Sequence, residues 1–207
     1  MTKEEQNKIL HNLYLQKSFG YRYIEPFELK IQKEKDFFYC EDTLQNCTLC
    51  DASKLSKTRV FGIGNLNSEV MFLTTVPSFD ESSFEMFSKM LENVLQIPIQ
   101  NIYLCSIIKC DISEKNLQIN TFVEKCKGYI ENQIKSSKAK IVVTLGDSYH
   151  HLFDFKGDLS NIRGTTTKLY DKICIPIYHP SFLLRNPSLK KETFEDLKKI
   201  KILMEQL

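Results

Sequence analysis

The sequence predicts an α/β fold, a three-layer sandwich around a short, mainly parallel four-stranded sheet. Three observations predict it. Beyond residue 68, apolar runs of strand length recur along the chain. Between them lie segments in which apolar residues return every three or four positions, the period of a helix face. Such alternation sets consecutive strands in parallel, with helices covering both faces of the sheet. The composition bounds the rest: 207 residues, 42% hydrophobic and 26% charged, is ordinary globular usage and excludes wholesale disorder.

Residues 1–46 read as an N-terminal helical extension, with Ile9, Leu10, Leu13 and Tyr14 on one face of a helix starting near Lys3. The main domain is expected over 47–207. Its first strand is the run from Val70 to Thr74, VMFLT, with Pro77 just beyond. Phe84, Phe87, Leu91 and Val94 then follow at helical spacing. The second strand is Ile102 to Ile108, IYLCSII. Phe122, Cys126, Tyr129 and Gln133 share a face of the next helix, with Asn120 or Thr121 as its cap. Ile141 to Leu145 is the third strand, stopped by Gly146 and followed by a short helix through Leu152. Ile173 to Tyr178, ICIPIY, is the fourth. The last helix presents Phe194, Leu197, Ile200, Met204 and Leu207, and Asn186-Pro187 supply its cap and first residue. In such sheets the working residues lie beyond the carboxyl ends of the strands. That directs attention to residues 74–78, 106–110, Gly146 and 179–185.

Twenty-eight Lys and Arg against twenty-six Asp and Glu leave a net charge of +2, so no overall basic field advertises nucleic acid. A local basic face is compatible with that balance. Lys54, Lys57 and Arg59 are candidates to track a phosphate backbone. The lysines of the last helix (190, 191, 198, 199 and 201) are diluted by Glu192, Glu195 and Asp196 and read as a solvated face. No apolar run approaches the ~20 residues of a membrane span, and the opening MTKEEQNKIL carries no apolar signal core. The expectation is a cytoplasmic monomer with no membrane partner.

Seven cysteines cannot pair completely within one chain, and a reducing compartment disfavours disulfides. Isolated cysteines suit the role of small buried hydrophobes. Cys47-Thr-Leu-Cys50 does not, because CxxC in a polar loop is a metal-ligand or redox spacing. With Cys110 and Cys126 it makes a set of four. Four thiolates suit zinc or an iron–sulfur cluster, and spacing alone does not separate these from coincidence.

The residues around the cysteines carry more. CTLCDASKLSKTRVFGIGNLNSEVMFL resembles the opening of the family 4 uracil-DNA glycosylases, and the likeness continues through IYLCSIIKC, ENQIKSSKAKIVVTLGDSYHHLF, NIRG and YHPSFLLRNP, in the family's order. It spans about residues 44 to 200, and HPSFLLRNP is its most specific part. The resemblance implies a [4Fe–4S] cluster held by Cys47, Cys50, Cys110 and Cys126. Cys40, Cys105 and Cys174 match no ligand.

It further implies cleavage of the bond between uracil and deoxyribose. The base must leave the helix stack to be reached. Departing uracil carries negative charge, and a donor aimed at that charge is worth ~2.7–4 kcal/mol by analogy with oxyanion holes. His179 matches the family histidine in this role. Around it, Ser181 and Arg185 are candidate phosphate contacts, and Leu183 or Leu184 is a candidate wedge for the gap the base leaves.

Three departures stand against this. Thr74-Thr75-Val76-Pro77-Ser78 replaces the family's Gly-Glu-Ala-Pro-Gly, so Thr75 stands where an acid positions the water, and Val76 beside it lines the expected base pocket. A hydroxyl holds water but does not act as a base near neutral pH, and losing a positioned base costs ~10²–10⁴ in rate. Ser106 replaces the asparagine that reads uracil's edge. The stretch between Pro77 and Met90 is short and lacks Gly-x-Pro-Phe-Val-Gly, leaving Phe79 or Phe84 to stack on the base. Two readings follow: a base-excision repair glycosylase acting on uracil or a related deaminated base in DNA, or a catalytically degenerate iron–sulfur relative that binds damaged or single-stranded DNA without cleaving it.

Overall fold

The computed structural model describes residues 43–113 and 118–206. The helix expected near Lys3, Cys40, most of the extension and Leu207 lie outside the described residues.

The four expected strands form the parallel centre of a mixed sheet. They are β2 (Val70–Thr74), β3 (Tyr103–Ser106), β4 (Ile141–Leu145) and β6 (Lys172–Ile177), in the spatial order β3-β2-β4-β6. The sheet has six strands rather than four. β1 (Ile63–Gly64) pairs antiparallel with β3 at one edge, and β5 (Thr167–Leu169) pairs antiparallel with β6 at the other. Every residue of β2 and β4 is buried. Since successive side chains point to opposite faces, this requires cover on both sides.

The helices are α1 (Ala52–Leu55), α2 (Glu81–Met90), α3 (Ile119–Ser136), α4 (Ser148–Phe153), α5 (Pro180–Arg185) and α6 (Lys190–Glu205). α2 starts where Asp80 accepts the Ser83 amide at 2.9 Å and runs on into a single π turn, Leu91–Leu95. Its core face is Phe87, Met90 and Leu91, with Phe87 edge-on to Phe72 at 5.2 Å. Phe84, expected on that face, is exposed and packs against Phe79 instead. α3 begins at Ile119, ahead of both expected caps, and Gln118 before it makes no side-chain cap bond. Pro187 opens a 3-10 turn, Pro187–Leu189, so α6 starts three residues later than Asn186-Pro187 suggests. On α6, Leu197 and Ile200 are buried, whereas Phe194 is exposed.

The register brings one end of each central strand to a common edge. Thr74 lies beside Ser106, and Leu145 beside Ile177. The segments beginning at Thr75, Ile107, Gly146 and Tyr178 therefore emerge together. That edge carries the site.

Candidate functional site

His179 is the N-cap of α5. Its Nδ1 accepts the Ser181 amide at 3.2 Å and lies 2.7 Å from Ser181 Oγ. With Nδ1 engaged as an acceptor, the neutral ring carries its proton on Nε2, a donor not used by the cap. Burial pulls the imidazole down to about 4, the Asp80 and Asp147 carboxylates oppose that, and Arg185 reinforces it. At neutral pH the ring is therefore uncharged. The Phe79 ring stacks on it with centroids 5.0 Å apart and planes 27° apart.

A cavity of about 340 Å³ opens beside the ring, bounded by Gly146 and Asp147 after β4, His150 on α4, and Ser181, Phe182 and Arg185 on α5. Its size falls within the ~300–1,000 Å³ of small-molecule sites. Gly146 lets this edge close up. It has φ +61°, and a Cβ there would sit 2.9 Å from His179 Cβ. Its amide donates to Ile177 O at 2.9 Å, and Ser148 Oγ donates to Leu73 O at 2.8 Å. The turn after β4 is thus pinned to both neighbouring strands.

The expected site residues divide into two groups. His179, Ser181 and Arg185 meet at the cavity. Leu184 is 38% exposed on the same helix, whereas Leu183 is 2% exposed and belongs to the core. Thr75, Val76 and Ser106 share the strand edge, but none of them lines the cavity. Thr75 and Ser106 are each 1% exposed. Thr75 Oγ1 is buried with no hydrogen-bond partner, and Ser106 Oγ donates to Ile108 O at 2.7 Å. Asp147, His150 and Phe182 went unnoticed in the sequence. The strand-end rule pointed to Gly146, one residue short of Asp147.

The four candidate ligand cysteines converge from three segments. Burial pushes the Cys110 thiol up to about 11, with negative charge on Cys126, Cys50 and Cys47 adding to the effect and Arg59 opposing it. Burial likewise raises Cys126, with Cys50 and Cys47 contributing. Cys47 packs with Leu44 and Phe61. Arg59, a candidate for DNA, is instead turned inward: its Nη2 donates to Cys47 O at 3.1 Å, and its backbone bridges to Cys110. Lys54 pairs with Asp51 at 2.7 Å. Among the described residues, no three Cys, His, Asp or Glu side chains are grouped to hold a single metal ion. A cubane holds its four thiolates farther apart than one tetrahedral ion does. Three buried thiols and the half-buried Cys50, close enough to influence one another's ionisation, fit a group of that size, which would take the place of their protons.

Cys105 and Cys174 lie apart from this set, buried in β3 and β6, where burial raises their thiols to about 11 and about 12.

The model of the Uracil DNA glycosylase superfamily matches residues 61–198. The chain belongs to this superfamily. Within the uracil-DNA glycosylase superfamily it is similar to a Type-4 uracil-DNA glycosylase of Saccharolobus solfataricus, at 26% identity over 77% of this chain and 82% of that one. The Archaeoglobus fulgidus Type-4 uracil-DNA glycosylase is 27% identical over 76% of this chain and 87% of its own. The corresponding protein of Thermotoga maritima is 26% identical over 77% and 90%. The superfamily match takes in two of the four candidate ligand cysteines, Cys110 and Cys126, and the whole His179 loop, while Cys47 and Cys50 precede it.

Proposed function

We propose that this chain hydrolyses the N-glycosidic bond of uracil, or of a related deaminated base, in DNA, as the first step of base-excision repair. The observation that carries the reading is His179: neutral, fixed in one tautomer by the Ser181 amide, and set on a cavity of suitable size. A neutral imidazole that donates from Nε2 stabilises an anion without first giving its proton away. That matches a leaving group which departs as uracil anion. The extruded base would lie against His179, whose ring is backed by the stacked Phe79. Exposed Leu184 would fill the vacated stack, and Arg185 would meet a phosphate.

Cys47, Cys50, Cys110 and Cys126 would hold a [4Fe–4S] cluster, whose contribution is to cross-link the 47–50 loop to β3's exit and α3. The working domain on this reading is 47–207, with 1–46 as an appended segment.

The test is incubation of metal-loaded protein with uracil-containing single- and double-stranded DNA, followed by alkaline cleavage. Strand breaks at uracil are expected, reduced by about 10²–10³ in rate by His179→Ala. Tight binding without breaks would replace this reading with that of a non-cleaving DNA-binding relative, the alternative favoured by the burial of Thr75 and Ser106.

A further inference from the structure

The reaction needs a group to orient water and take its proton, and Thr75, buried with an unpartnered hydroxyl, is not placed to do so. We propose that Asp147 performs this task. The inference rests on the glycosylase reading above and adds to it a catalytic carboxylate from a different strand.

Asp147 sits at the N-terminus of α4, where an aspartate ordinarily caps the helix by accepting an amide. Here it does not. Its backbone is helical, with φ −65° and ψ −11° rather than the extended geometry of a cap, and its side chain makes no cap bond. The side chain is 82% exposed and lines the cavity that His179 lines. Asp147 follows directly on the tight Gly146 turn, which closes on His179 and is braced by Ser148 on Leu73. A second carboxylate, Asp80, also influences His179, but it is engaged by the Ser83 amide and hydroxyl at 2.9 and 2.6 Å. His150 leaves Asp147 free as well. Its Nε2 donates to Gly157 O at 2.8 Å, and its Nδ1 stands 3.9 Å from Asp147 Oδ1, beyond hydrogen-bond distance. At that separation the carboxylate keeps its lone pairs for water.

In the step, the water oxygen bonds to C1′ of the deoxyribose as the bond from C1′ to the base nitrogen breaks. The bonding pair leaves with uracil, whose anion is held by His179 Nε2–H. The water's proton passes to the Asp147 carboxylate and from there to solvent.

The experiment measures single-turnover uracil release and uracil-DNA affinity on the full, metal-loaded chain. Asp147→Asn is expected to slow release by ~10²–10⁴ while leaving affinity and the thermal midpoint unchanged, since general-base assistance acts on the chemical step. Asp147→Glu should recover part of the rate. Asp158→Asn removes a charge from the same cavity whose carboxylate accepts the Ser160 amide, and it should change the rate only slightly. Asp147→Asn at wild-type speed would overturn the assignment and leave the glycosylase reading intact. An equal loss in Asp158→Asn would also overturn it, reducing Asp147 to part of a general field. A wild-type protein that releases no uracil would overturn both.

Discussion

At His179, burial and hydrogen bonding act in one direction. A histidine that is free in solution titrates near 6.5, and this one is held at about 4. The folded-state value is depressed, so between those two values the unfolded chain takes up a proton that the native ring refuses. Native stability through this residue therefore rises with pH across that window and falls as the solution is acidified through it. NMR titration of the imidazole should follow the same balance of charges. Asp80→Asn, which removes an opposing carboxylate, should lower the midpoint further, and Arg185→Ala should raise it. A ring that titrates near 6.5 in the wild type would contradict the burial seen here. The buried, partnerless Thr75 hydroxyl belongs to the same scale: a glutamate introduced there would be a charge without water, and the family's acid cannot simply be restored at this position.

At the scale of the element, α5 sorts its leucines by a single residue step. Leu183 faces the core and Leu184 faces outward. Leu183→Ala should cost about 2–5 kcal/mol of stability, the range for a buried leucine, measured by denaturant unfolding. Leu184→Ala should leave unfolding unchanged and slow uracil release from duplex more than from single strands, where there is no stack to fill. Arg185→Ala should lower the salt dependence of DNA binding by about one phosphate contact. The sequence allowed either leucine as the wedge, because a six-residue helix has too few positions to define a face. Strands β2, β3, β4 and β6 were legible for the opposite reason: burial on both faces makes each a continuous apolar run. β1 and β5 were not, since two exposed residues, or three with a single buried leucine, leave no pattern. Within the site, His179 and Arg185 were found by the motif that carries them. Asp147 was hidden because an aspartate before a helix ordinarily signals a cap, and only the geometry reveals that it is not one.

For the molecule as a whole, the four candidate ligands decide how separate segments are held. Protein purified without oxygen should be brown and contain about four irons and four sulfides per chain. Cys110→Ser or Cys126→Ser should bleach it and lower its thermal midpoint, whereas Cys174→Ser, inside β6, should keep the colour. One zinc per colourless chain would replace the cluster with a single ion. The inward turn of Arg59 already joins two of these segments without any metal, through Cys47 O and the bridge to Cys110. That clip bears on biogenesis. Cys47 and Cys50 are synthesised long before Cys126, and closing so long a loop carries an entropic cost that grows with its length. A nascent chain on the ribosome would therefore present the early pair as bare, oxidisable thiols until α3 has emerged, and on the proposed cluster reading delivery of iron and sulfide would wait for that moment.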